Sequence, residues 1–267
     1  MLKDITLGQY FPGNTVVHRL DPRTKLLFLI GYVTALFLAK SWCSYGLVLL
    51  LLISVSTAAR IRAKTLLSGL KPLIFIILFT GLINLFYGSG EPLVQLWVFK
   101  ITANGIQNAV FMALRIMLLV CGSFLLTYTT SPLSLTDALE LLLDPLKKLK
   151  APVHELSMMM SIALRFIPTL IEETDKIMSA QKARGASFDT GKLTERAKAL
   201  LPLLVPLFVS AFRRADELAT AMECRCYHGG EGRTRMKVLH FAGIDFAAFV
   251  LCGMLITAVC ILRHFGL

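Results

Sequence analysis

Charge is what this 267-residue chain is short of: Asp, Glu, Lys and Arg make up 17%, against about 25% in soluble globular domains. That is too little polar surface for a water-soluble protein of this size, and the mean hydropathy is +0.68. No Gly-x-x-x-x-Gly-Lys-Ser/Thr loop occurs, which excludes that phosphate cradle for ATP on this chain. No His-Glu-x-x-His pattern occurs either. The histidines, His18, His154, His228, His240 and His264, are scattered, with none of the convergence an intramembrane enzyme needs; His154-Glu155 reads as a solvated helix start. RNA-binding motifs and basic-aromatic interleaving are absent, so the net charge of +11 is not read as nucleic-acid affinity. The cysteines form no disulfide framework. Cys43, Cys121, Cys252 and Cys260 lie in apolar runs, and Cys224-Arg225-Cys226 has no second pair to complete a metal site.

What is present is a series of apolar runs punctuated by basic residues, the membrane pattern. Spanning helices are predicted at about 26–41, 42–59, 72–87 and 105–128, with a fifth at 241–262. Asp21-Pro22 reads as an N-cap followed by proline at the first helical position. The first run ends at Ala39-Lys40-Ser41, a poor cleavage site, and is expected to be retained. The short segments 1–25 and 60–71 hold eight basic residues against three on the other side, Lys40, Lys100 and Arg263. That asymmetry places the amino terminus in the cytoplasm. Arg115 and Asp245 are the intramembrane charges, functional suspects by default. Arg115 is expected to pair or snorkel, and Asp245, near the cytoplasmic end of its span, to stay hydrated. The expected fold is an all-α polytopic membrane protein. It has four transmembrane helices in 1–128, a cytoplasmic domain of long helices in 129–240, and a last transmembrane helix in 241–267.

Residues 129–240 carry 16 basic and 13 acidic residues, the mixture of a water-facing helical region. Helices are predicted over 133–148, 153–184 and 193–225. Two stretches are oddly apolar. Ser157 to Ile171 has one charge, Arg165, and the run Met158-Met159-Met160; Ala199 to Phe212 has none, but contains Pro202 and Pro206. Each makes roughly 21–23 Å of helix, short of a bilayer core. Two readings stay open: a second membrane hairpin, giving seven spans, or helices at the membrane surface that present apolar faces to a partner. Methionine faces suit surfaces that accept several partners, and equally suit ordinary packing.

An internal echo 41 residues apart runs through this region: Asp175, Ile177, Ala180 and Arg184 match Asp216, Leu218, Ala221 and Arg225. Each arginine sits between small neighbours, Ala183-Arg184-Gly185 and Cys224-Arg225-Cys226, with turn-prone residues following. Two helices are thus expected to end in an arginine on a slim collar, able to enter a groove and meet a carboxylate through paired hydrogen bonds. A cation also suits the last turn of a helix for its dipole alone.

At these residues the chain resembles the transmembrane T component of energy-coupling factor (ECF) transporters, over nearly its whole length. Gly8-Gln9-Tyr10, Pro12-Gly13 and His18 to Leu26 resemble the family's amino-terminal signature. Leu164 to Pro168 with Ala180 to Gly185 resembles its first coupling signature, and Arg213 to Ala219 with Glu223 to Tyr227 its second. The second triplet departs from Ala-Arg-Gly in being Cys-Arg-Cys. The resemblance implies two cytoplasmic ATPases that bind ATP and Mg and dock on the two triplets, while this non-catalytic chain holds no cofactor. It also implies a membrane-embedded S component, several being interchangeable, that captures a vitamin or other micronutrient. This component would be cradled by apolar faces including Met158, Met159, Met160, Leu203, Leu204 and Leu207, in a bacterial plasma membrane. The alternative is a self-sufficient channel or secondary transporter. Asn84, Asn104 and Asn108 add up to no pathway, and no inverted repeat is visible.

Overall fold

The structure is a computed structural model. It describes residues 10–86, 92–96, 99–149, 152–186, 193–229 and 238–265, which fall into two compact units: 10–138 with 238–265, and 139–229.

The first unit opens with a short helical turn, α1 (Val16–Arg19), and then α2 (Pro22–Leu38). Asp21 caps α2 by accepting the Arg23 N–H at 2.9 Å, with Pro22 at the first helical position, where no N–H is required. A three-residue link leads to α3 (Trp42–Ala58). Helix α4 (Ala63–Leu70), a 3₁₀ turn (Lys71–Leu73) and α5 (Ile74–Phe86) follow without a break. The sequence reading begins this helix at residue 72, with basic loop before it. In the structure the helix starts at Ala63, because Leu66 and Leu70, one turn apart, bury the same face. Pro72 is tolerated in the tightened turn.

A feature the sequence reading lacks comes next. Strands β1 (Pro92–Leu96) and β2 (Phe99–Thr102) pair antiparallel, Leu96 opposite Phe99, with an irregularity between Pro92 and Val94. Proline has no N–H for the ladder, so a break beside it is where one belongs. Thr102 then caps α6 (Ala103–Thr129), its hydroxyl accepting the Gly105 N–H at 3.1 Å. Helix α7 (Pro132–Leu143) follows, and α10 (Gly243–His264) completes the unit.

Among the described residues, three helical segments are long and apolar enough to cross a membrane: Ala63–Leu85, Ala103–Thr129 and Gly243–His264. Helices α2 and α3, at 17 residues each, are about 25 Å long, just under the bilayer core. The core joins Tyr32 and Leu36 of α2, Val48 and Leu52 of α3, Leu66 and Leu70 of α4, Leu118 and Leu125 of α6, and Leu255 and Val259 of α10. Helix α6 comes close to α2 because position 122 is glycine. A Cβ there would lie 2.5 Å from the Tyr32 ring, and small residues permit such contacts between membrane helices. The outward faces are as apolar as the core: Phe75, Leu78 and Phe79 on α5 and Phe246 and Met254 on α10 are all more than half exposed. A water-soluble bundle would not present such a continuous apolar surface.

The second unit holds the end of α7, a 3₁₀ stretch (Asp144–Leu149), α8 (Val153–Ala183) and α9 (Leu193–Glu223). The predicted starts at 153 and 193 are met. The helix predicted over 133–148 instead tightens at Asp144-Pro145. His154, read as a solvated helix start, donates or accepts through Nδ1 to Glu140 at 3.0 Å.

Candidate functional site

Helices α8 and α9 form an antiparallel hairpin. Three ties along its length fix the register: Gln181 Nε2 to the Pro202 carbonyl at 3.5 Å, Arg214 to Glu173 at 2.6 Å, and the Tyr227 hydroxyl to Met158 Sδ at 2.9 Å. The first follows from composition. Pro206 has no N–H, so the Pro202 carbonyl one turn back is left without its helical donor, and the Gln181 side chain supplies one. Helix α9 continues through Pro202 and Pro206, and α8 through Pro168.

Glu173 and Arg214 are 41 residues apart, the same interval as the internal echo. In an antiparallel pair, equivalent positions of a repeat meet only at the local two-fold axis, so the axis of this hairpin passes close to that ion pair. Arg184 and Arg225 lie one equal step from it in opposite directions, at opposite ends. At 1.5 Å per residue their separation is roughly 35 Å. The Ser210 hydroxyl, and then the Arg214 charge, hold the Glu173 carboxyl below its usual pKa.

The two ends are built alike. At the end of α8 the Gly185 N–H bonds to the Lys182 carbonyl and the Ala186 N–H to that of Gln181, both at 3.0 Å. At the end of α9 the Cys226 N–H bonds to the Glu223 carbonyl at 2.8 Å and the Tyr227 N–H to that of Met222 at 3.0 Å. Both are Schellman caps, in which the residue after the C-cap turns left-handed: Gly185 at φ +90° and Cys226 at φ +54°. Arg184 and Arg225 therefore occupy the same C-cap position. Both side chains are exposed, and among the described residues neither has a hydrogen bond or ion pair. The collars, Ala183 with Gly185 and Cys224 with Cys226, are exposed as well.

The departure in the second triplet thus falls where a side chain is least comfortable, since a left-handed conformation disfavours any residue with a Cβ. Cys226→Gly is expected to strengthen this cap by up to about 1 kcal/mol, and Gly185→Ala to weaken the other by a similar amount. Amide hydrogen exchange at Tyr227 and Ala186 measures both. Faster exchange at Tyr227 in Cys226→Gly would contradict the assignment.

The apolar residues of the hairpin divide. Leu203 is buried, and Met158 and Leu207 are partly covered, whereas Met159, Met160 and Leu204 are exposed. Leu204 belongs to a stripe at helical spacing, Leu201, Leu204, Val205, Phe208, Val209 and Phe212, every member about half exposed or more.

A second constellation lies in the first unit, where the sequence reading sees the Asp21-Pro22 helix start inside a signature, His18 to Leu26. Arg23 clamps three things: Asp21 through Nε and Nη2 (3.1 and 2.9 Å), the Leu239 carbonyl at 3.0 Å, and the Phe241 ring, 4.1 Å from its guanidinium carbon. Asp245 accepts the Asp21 N–H at 2.9 Å and the Ala242 N–H at 2.7 Å. It is 1% exposed, so the expectation of a hydrated Asp245 is wrong. Two backbone donors replace the water, which the sequence does not reveal because they come from 21 and 242. Lys25 Nζ donates to the Thr129 carbonyl at 2.9 Å and to that of His18 at 3.3 Å. These bonds tie together the starts of α2 and α10 and the end of α6. Arg115, expected to pair or snorkel, pairs: its guanidinium donates to the Tyr45 hydroxyl and the Ala39 carbonyl, both at 3.1 Å. Among the described residues no cluster of His, Cys, Asp and Glu could hold a metal ion.

A family model described as cobalt transport protein, CbiQ, matches residues 13–236. The chain is 51% identical to the energy-coupling factor transporter transmembrane protein EcfT of Thermosediminibacter oceani, over 95% of this chain and 96% of the relative. It is 50% identical to that of Ruminiclostridium cellulolyticum over 99% of both, and 51% identical to that of Bacillus subtilis over 94% and 95%.

Proposed function

Since the chain belongs to the CbiQ family of transporter transmembrane proteins, we propose that it is the coupling subunit of an ECF-type importer, carrying motion from two cytoplasmic ATPases to a substrate-binding S component. The observation that carries this reading is the pair of matched caps, each presenting an exposed arginine whose side chain has no partner among the described residues. Tips roughly 35 Å apart and related by a local two-fold cannot share one groove. They fit two similar grooves on two similar proteins, and a groove that offers a carboxylate would take a guanidinium bidentately.

The membrane region is 1–128 with 241–267, five spans with the amino terminus in the cytoplasm of a bacterial cell, and 129–240 is the coupling domain. ATP and Mg are bound by the partner ATPases, and this chain catalyses nothing itself. The exposed stripe of α9, with Met159 and Met160, is the surface for the S component. Its apolar, partly flexible character suits interchangeable partners that bring vitamins or other micronutrients.

Affinity isolation of the chain in mild detergent tests the reading. Two ATPases and a small membrane protein are expected to co-purify, and proteoliposomes of that assembly to take up substrate with ATP. Proteoliposomes of this chain alone are expected neither to hydrolyse ATP nor to take up substrate. Gradient-driven uptake by the chain alone would overturn the reading.

A further inference from the structure

Between α1, α2, α3, α6 and α10 lies an apolar cavity of about 270 Å³, with Phe28, Leu29, Leu51, Leu125, Ala248 and Leu251 in its wall. That is well above the roughly 150 Å³ of a hydrocarbon-lined cavity that takes up benzene. Its polar end is formed by Thr24, Lys25 and Thr129. Thr24 is fully buried, and its hydroxyl has no partner among the described residues. Lys25 is 7% exposed, and its two bonds, to the Thr129 and His18 carbonyls, leave one of three ammonium hydrogens without an acceptor among the described residues. Polar groups buried this deeply are nearly always met by a partner.

The charge at this end decides what kind of partner. The cations Arg23 and Lys25 face the carboxylates Asp21 and Asp245, so the cluster is balanced. A free carboxylate or phosphate would add an uncompensated negative charge, whereas a neutral carbonyl would accept from Thr24 or Lys25 and leave the balance intact.

We propose that this cavity is a lipid site, holding one acyl chain of a diacyl glycerophospholipid. The ester carbonyl meets Thr24 and Lys25, and the methylenes run along Phe28, Leu125 and Leu251. The site is independent of how Arg184 and Arg225 dock.

The full chain, delipidated in mild detergent, is offered dioleoylphosphatidylglycerol, its ether-linked analogue, or oleate. Retained copies are counted by native mass spectrometry. One tightly held copy of the diester is expected, with the ether analogue and oleate retained about five- to tenfold less, the equivalent of a lost hydrogen bond. Thr24→Val, nearly isosteric, removes one of the two donors and brings the diester part of the way down toward the ether analogue. Ala248→Phe fills the cavity and removes the tight copy, and Leu51→Trp does so from another wall, so that misfolding of one variant leaves the other readable. Equal retention of ester and ether lipids, preference for oleate, or unchanged retention in the filling variants overturns the proposal.

Discussion

Reversing both hairpin tips, Arg184→Glu with Arg225→Glu, is expected to abolish assembly with the ATPases and ATP-driven uptake while membrane insertion stays normal. Each guanidinium that leaves a paired carboxylate behind removes about 3 kcal/mol or more, roughly a hundredfold in affinity per tip, and the introduced carboxylate adds repulsion. The geometry sharpens the test. With tips at opposite ends of the hairpin and no shared contacts, the two losses are independent. Arg184→Glu alone is therefore expected to give a complex that lacks one ATPase position and keeps the other, and Arg225→Glu the complementary one. Native mass spectrometry of the isolated assemblies distinguishes these species. A full complex with normal uptake from the double variant would remove the docking assignment.

The second large effect concerns the membrane unit. Asp245→Ala deletes a buried carboxylate that accepts two backbone N–H groups, from Asp21 and Ala242, and leaves Arg23 and Lys25 in excess at a buried site. Charge-assisted bonds contribute about 1.5–3 kcal/mol each, so the expected destabilisation is about 3–5 kcal/mol. For a unit of this size that is a fall in Tm of roughly 10 °C, read by thermal unfolding in detergent. Asp245→Asn keeps one acceptor oxygen, and its loss is expected to be about half as large. A Tm within a degree or two of wild type in Asp245→Ala would mean that the two N–H groups find other partners, and that this cluster does not hold α2 and α10 together.

Legibility in the sequence followed the range of the signal. The starts of α8 and α9 and the arginines at their ends were readable because helix periodicity and collar residues act over a few neighbours. The Asp21-Pro22 start of α2 was readable for the same reason. The identity of the two caps was half visible: the echo showed that Arg184 and Arg225 correspond, but the left-handed turn at Cys226 needs backbone coordinates, since cysteine gives no hint of it. The Asp245 environment is not legible because its hydrogen-bond donors come from position 21 and from the residue before α10, a pairing no local pattern encodes. The strands at 92–102 were missed because two short runs beside a Gly-rich stretch resemble a plain loop. The early start at Ala63 was hidden by basic residues, which mark a membrane edge without saying whether the backbone there is helical.

The ion pair of Glu173 and Arg214 has a mechanical consequence. It lies midway between the tips, so the two lever arms are equal. If both ends were drawn together by the same force, the forces on the midpoint would cancel and it would not translate. Any offset of that pull from the pivot would remain as a torque, turning one rod against the other as in a pair of shears. The apolar stripe of α9 lies on one arm, between the pivot and the end that carries Arg184, so in the proposed coupling subunit a rotation about the pivot would sweep it sideways.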